Sequence, residues 1–383
     1  MNHVMPKQIG DYNKGQMLSI LRERGPTSRM ELSRLLGISP AAVTRSISQM
    51  LKNGIIRECG SEESDMGRKP VLIELCNDFC YLLGADIVGG TIKTALADFT
   101  GTIVKYTEEP IKQAEGASVV LGQLLAALKK NVNEFGVPHE KLWITIIGTP
   151  GIFDSSSGRS RLSFFLDGWE DIDIHSLVFN DLSVETIIDN DVHLDVIGEC
   201  WKGVGKNYNN IFYVKLGQGL AARIVLDNKL VRGYNKMAGE IGQMVPGVLP
   251  RNAWNYETQL CNAAVSENYR NSGGKNPVKT ISDLCRFSRE DDVVANTVLD
   301  RLLDQFAVVL INGAAVIDPQ VIILGGDAGS FGEREINLLK QKMEPHLPLI
   351  HDIIASKLDK KACLYGAIKT GLDRIEKRIT DIW

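Results

Sequence analysis

A chain of 383 residues with 44% hydrophobic side chains is long enough for two or three packed domains, and none of its apolar runs reaches the roughly 18 to 20 residues that span a bilayer. Seven scattered cysteines without a CxxC pair, and a polar start over Met1–Lys14 where a secretory segment would be apolar, argue against a disulfide framework and for a cytoplasmic protein. The net charge of −4 hides an asymmetry: Met1–Arg57 holds nine Lys/Arg against three Asp/Glu, while the remainder carries an excess of ten acidic residues, the pattern of a nucleic-acid reader attached to something else.

Three short helical patterns open the chain. Asn13–Arg24 carries Met17, Leu18, Ile20 and Leu21 and stops at Gly25-Pro26. Ser28 and Glu31 have the spacing of a capping box ahead of Met30, Leu32, Leu35 and Leu36. Gly37-Ile38-Ser39 is a tight turn; Ser39 then caps a third helix whose first position is Pro40. Two helices joined by a short glycine-containing turn make a helix-turn-helix. In the third helix Val43, Ile47 and Met50-Leu51 fall on the buried side. Ser39, Ala41, Thr44, Arg45, Ser48 and Gln49 are left to meet base edges and phosphates in a major groove. Ile55–Glu58 and Val71–Leu75 read as the strands of a wing. The loop between them contains Gly67-Arg68-Lys69-Pro70, whose Arg68 and Lys69 suit an A·T-rich minor groove. An ordinary three-helix bundle with an exposed basic loop is the plainer alternative.

From Tyr81 the pattern turns to α/β. A hairpin is expected with Leu82–Ile87 and Ile92–Asp98 as its arms and glycines at its tip. A second glycine turn, Gly217-Gln218-Gly219, precedes the apolar stretch beginning at Ile224, and Val321–Leu324 is a buried strand entering Gly325-Gly326. Three strand-to-glycine turns at these separations resemble the frame of the actin/hexokinase-like (ribonuclease H-like) fold. More narrowly, the chain resembles the ROK family of repressors and sugar kinases over about residues 10 to 375. The strings that carry the resemblance are Asp86-Ile-Val-Gly-Gly-Thr, Ile188-Asp-Asn-Asp-Val, Ala238-Gly-Glu-Ile-Gly-Gln and Ile317-Asp-Pro-Gln-Val-Ile-Ile-Leu-Gly-Gly. The expected organisation is a winged helix-turn-helix over residues 1–78 and a two-lobed α/β body over 79–383, with a cleft near residue 190.

The resemblance implies ATP and zinc sites, and the sequence departs from both. Val88 stands where the first of two adjacent phosphate-turn glycines is expected, and Gly90 stands at the usual threonine. Gln218 replaces the threonine of Gly-Thr-Gly, and Ala221, Ala222 and Arg223 replace the glycines that follow. Val248, Pro250 and Asn255 fall at three zinc-cysteine positions and Gln243 at the zinc histidine, so no metal and no nucleotide cofactor is expected.

The sugar-contacting set that the resemblance implies is partly kept. Asn190 and Asp191 match the family's Asn-Asp pair, and Glu240 and Glu257 its two glutamates. Gln243 is atypical for a histidine, and Phe165 stands where an asparagine usually precedes Gly168-Trp169. Phe165 and Trp169 suggest an apolar platform beneath a sugar ring, or Phe165 closes the pocket. In family kinases the aspartate at Asp191 is also the catalytic base. The expected function is a repressor of carbohydrate-metabolism genes that binds operator DNA as a homodimer or homotetramer and senses a sugar or sugar derivative. The alternatives are a working sugar kinase with a DNA-binding head and a regulator with a closed pocket that answers to a protein partner.

Overall fold

The computed structural model describes residues 6–61, 70–88, 90–112, 115–154, 159–161, 168–247, 255–349, 351–358 and 360–381. Helix α1 (Pro6–Arg24) starts a full two turns earlier than expected, because Pro6 suits a helix start and nothing breaks the chain until Gly25. A two-residue strand β1 (Thr27–Ser28), α2 (Arg29–Leu36), α3 (Pro40–Lys52), β2 (Ile56–Ser61) and β3 (Val71–Leu75) complete the head, with sheet order β1-β3-β2. Ser28 caps α2 by accepting from the Glu31 N–H at 3.3 Å, but only half of the expected capping box forms. The Glu31 carboxylate turns instead to Arg34, which donates to it at 2.6 and 2.7 Å, a charge-assisted pair that outcompetes a backbone amide.

The body follows as β4 (Tyr81–Val88), β5 (Thr91–Asp98), β6 (Ile103–Pro110), α4 (Ala117–Phe135), β7 (Leu142–Thr149), β8 (Ile152–Asp154), β9 (Arg159–Arg161), α5 (Ile174–Leu182), β10 (Glu185–Asn190) and α6 (Asp191–Lys202). Next come β11 (Ile211–Leu216), β12 (Leu220–Leu226), β13 (Lys229–Val231), α7 (Glu257–Leu260), α8 (Asn262–Asn271), α9 (Ile281–Arg289), α10 (Val293–Ile317), β14 (Val321–Gly326), α11 (Glu333–Met343), β15 (Asp352–Ala355) and α12 (Ala362–Asp381). Two five-stranded sheets of the same topology result, β10-β7-β4-β5-β6 and β13-β12-β11-β14-β15. In each, three strands form an antiparallel meander and two more add in parallel.

Helix α6 lies between the sheets. Its Leu194 joins the core under the first sheet, with Leu82, Ile146 and Ala367. Its Val192 and Val196 join a separate core with Tyr213 and Ile323 of the second sheet. A helix buried on both sides is apolar nearly all round, and here its polar residues, Asp191, His193, Asp195 and Glu199, are buried too. Helix α12 packs closely across α6. A Cβ on Gly366 would sit 1.8 Å from the Leu194 carbonyl oxygen, and one on Gly198 would sit 2.0 Å from that of Ala362. The far end of α12 meets the head. Leu372, Ile375 and Ile379 share one apolar core with Met17, Leu18 and Leu21 of α1, and Arg22 pairs with Glu376.

Candidate functional site

The head presents the surface that the sequence anticipates. Ser39 caps α3 by accepting from the Ala42 N–H at 3.3 Å. Val43, Ile47 and Met50 are buried, while Ser39, Ala41, Thr44, Arg45 and Ser48 are exposed and Gln49 is half-buried. Thr44 donates to the Pro40 carbonyl at 2.8 Å, which leaves its hydroxyl lone pairs outward. Arg57–Glu74 (2.7 Å) and Arg29–Glu58 (2.8 Å) brace the base of the wing. Arg68 and Lys69, expected in the wing loop, lie outside the described residues.

In the body, the N-terminus of α6 gathers the polar residues. Asn190 caps it: its Oδ1 accepts from the N–H groups of Val192 (3.0 Å) and His193 (3.1 Å), and its Nδ2 donates to the Gly151 carbonyl at 2.8 Å. The same Oδ1 accepts from Arg223 Nη2 at 2.8 Å, and that nitrogen also donates to Glu240 Oε1 at 2.9 Å. One turn apart on α6, Asp191 and Asp195 both hold the Lys215 ammonium, each at 2.7 Å. At the outer edge Gln243 donates to Glu257 at 3.1 Å and accepts from Asn255 at 3.1 Å. Two of the residues at absent zinc-ligand positions thus bond to each other, while Val248 and Pro250 lie outside the described residues. Among the described residues no three His, Cys, Asp or Glu side chains gather as a metal site.

Burial sets the electrostatics. Burial pushes the Asp86 carboxyl up to about 7; Asp195 and Asp191 add to the rise, and Lys215 and Lys93 oppose it. Burial alone would push Lys215 down, but Asp191, Asp195 and Asp86 outweigh it and hold its ammonium well above the usual range. Burial, with Glu240 nearby, raises Glu257. Asp189 runs the other way. Burial opposes its ionisation, yet the His193 and Arg232 hydrogen bonds hold it well below the usual carboxylate range, with Arg232 bidentate at 2.7 and 3.0 Å.

The sequence profile of the ROK family matches residues 82–371, and that of a winged helix-turn-helix DNA-binding domain matches residues 11–57. The chain belongs to the ROK family. It is 25% identical to the xylose repressor of Caldicellulosiruptor bescii over 96% of each chain. It is 26% identical to the glucokinase of Halalkalibacterium halodurans over 71% of this chain and 88% of that one. Among solved structures, a ROK family transcriptional regulator homologous to the Escherichia coli MLC protein superposes with a TM-score of 0.77. That match is 21% identical and covers 95% of this chain and 96% of the other. The winged-helix head and two-lobed α/β body expected from the sequence are therefore the observed fold.

Within the ROK body, Asn190, Asp191, Glu240, Gln243 and Glu257 come from three segments and converge around the α6 N-terminus and the second glycine turn, where a Cβ on Gly219 would lie 2.5 Å from Glu257 Oε1. Phe165 lies outside the described residues. Trp169 corrects one expectation: it is fully buried in the first-lobe core and donates to Thr149 Oγ1 at 3.0 Å, so it is core and not a platform for a sugar. Sequence reasoning passed over Lys215 and took Arg223 only as a lost glycine. A charged residue in an otherwise apolar strand was the signal available for both.

Proposed function

We propose that this chain is a transcriptional regulator, a repressor of carbohydrate-metabolism genes, whose ROK body senses a sugar or sugar derivative without phosphorylating it. The observation that carries the reading is the connection between its two ends. An exposed DNA-type recognition helix belongs to a head whose α1 packs on α12, which packs on α6, and α6 begins at the Asn190-Asp191 pair. Relatives named as repressors, aligned over nearly the full length, support the same reading. The two-fold arrangement of helix-turn-helix proteins on DNA points to a homodimer or homotetramer on a palindromic operator in the cytoplasm.

The residues present do not fit phosphoryl transfer from ATP. A base must be free to accept the proton of an attacking hydroxyl, and Asp191 instead has Lys215 at 2.7 Å in a buried pair. Gln218 stands in the glycine turn in place of the threonine that the family resemblance implies, and Arg223, on the strand that follows, in place of a glycine. The sugar-contacting assignment rests on Asn190, Asp191, Glu240, Gln243 and Glu257, and the DNA-contacting one on Ser39, Ala41, Thr44, Arg45, Ser48, Gln49, Arg68 and Lys69.

The test is selection of operator fragments with the full chain, followed by titration. Arg45→Ala should weaken operator binding by about 1–3 kcal/mol. Replacing Arg68 and Lys69 together by Ala should reduce the slope of log affinity against log salt by about 2. Failure to enrich any sequence, or sugar phosphorylation that Asp191→Asn abolishes, would sink the proposal.

A further inference from the structure

The two cations that the sequence left unexplained share one face of the second sheet. In the β11–β12 ladder Tyr213 pairs with Arg223 and Lys215 with Ala221, and directly opposed residues of an antiparallel pair point to the same side. That side is the one α6 packs against. Arg223 is 1% exposed, and its guanidinium reaches across to the two acceptors, Asn190 Oδ1 and Glu240 Oε1, that a sugar hydroxyl would otherwise use. The Asn190 oxygen is thereby fully engaged: it takes three N–H groups, while the Asn190 amide nitrogen donates to the Gly151 carbonyl. Arg223 Nη1 donates to the Ala222 carbonyl. The Nε–H is buried with no acceptor among the described residues.

An orphaned donor on a buried cation is a costly feature, and it discriminates between ligands. A neutral sugar has to separate Arg223 from Glu240 and leaves the guanidinium without a counter-charge. An oxyanion replaces Glu240 as counter-charge. Accepting from Nε and Nη2 together, it forms the side-on fork that arginine makes with carboxylates and phosphates, and it satisfies the orphan. Building on the reading of the body as a sugar sensor, we propose that Arg223 is a specificity-determining residue that selects a sugar carrying an oxyanion, carboxylate or phosphate, over the neutral sugar. The site thus departs from the neutral-hydroxyl recognition that a small residue at position 223 permits.

Calorimetry on the full chain tests this with D-glucose, D-glucuronate, D-gluconate and glucose 6-phosphate. The two carboxylates and the phosphate tell the two oxyanion sources apart. At least one oxyanion should bind about tenfold or more tighter than glucose, equivalent to about 1.4 kcal/mol. Arg223→Gly should reverse that preference by freeing Asn190 and Glu240. Arg223→Lys, which keeps the charge and loses the fork, should weaken oxyanion binding about tenfold without admitting glucose. Near-ultraviolet circular dichroism and retained operator binding show that the variants are folded; if Arg223→Gly fails this check, Arg223→Lys decides. Glucose binding as tightly as every oxyanion, none of the four binding, or a preference unchanged in a folded variant overturns the proposal. Operator titration separates the two failures. Release of the operator by glucose refutes the role of Arg223 and leaves the regulator intact, whereas absence of any operator binding refutes the regulator alone.

Discussion

Glu376→Ala removes the anion that docks the head onto the body. Glu376 is on α12 and pairs with Arg22 of α1, with side-chain exposures of 13% and 5%. Arg22 is otherwise held by the Phe99 carbonyl at 3.3 Å and by the face of the Phe99 ring, 5.4 Å from its guanidinium carbon, and its Nε has no acceptor among the described residues. Two unit charges near 4 Å at the effective dielectric of a partly buried site attract by about 4 kcal/mol. Deleting one partner also strands the other in a poorly solvated place, for which typical costs are about 3–5 kcal/mol. Phe99 retains part of the interaction and Glu376 is partly wetted, so about 2–3 kcal/mol is expected. Urea unfolding at neutral pH reads this directly. Hydrogen exchange should place the loss in α1 and in the C-terminal half of α12, leaving both body sheets protected. The double variant Arg22→Met/Glu376→Leu should recover most of the stability, since apolar groups of similar volume then fill the joint. A Glu376→Ala loss under about 0.5 kcal/mol, or one spread evenly over the molecule, would refute the idea that this pair holds the head.

Asn190→Ala removes both the α6 cap and an Arg223 partner, and should cost about 2–4 kcal/mol in denaturant unfolding, more than a cap alone. Gly366→Ala puts a methyl group into the Leu194 carbonyl and should cost about 3 kcal/mol or more, with a lowered melting temperature by calorimetry. Asp86 sets a pH dependence of definite sign. Its folded-state value, near 7, lies above the ordinary carboxylate value, so its contribution is fully present at low pH and is lost as pH rises toward and through 7. Relative to Asp86→Asn, the natural chain should therefore lose on the order of 2 kcal/mol between pH 5 and pH 8 in parallel urea titrations. Equal slopes for the two proteins would show that Asp86 is not raised.

What the sequence determined by itself was local. The three head helices, the Ser28 and Ser39 caps, the Gly37 turn and the glycine turns at 217–219 and 325–326 are written within three or four neighbouring residues. The order of four short strings was enough to indicate the body's fold. Tertiary structure decided the rest. The strand Thr27–Ser28 is too short to carry a period and exists because Val71–Leu75 offers it a ladder. Glu31 left the capping box for Arg34, a contest between two partners that spacing alone does not rank. Trp169 went to the core and not to a ligand, because Thr149, 20 residues away, supplied a buried acceptor for its indole N–H. The candidate site was half legible. Asn190, Asp191, Glu240 and Glu257 carry the residue types that hydroxyl recognition needs. Lys215 and Arg223, by contrast, are charges in apolar strands whose meaning depends on partners 24 and 33 residues away. A side chain's chemical type is fixed by its own codon, but its partner is fixed by strand pairing and by the helix laid across the sheet. Only the folded chain therefore decides which carboxylates and amides a buried cation will occupy.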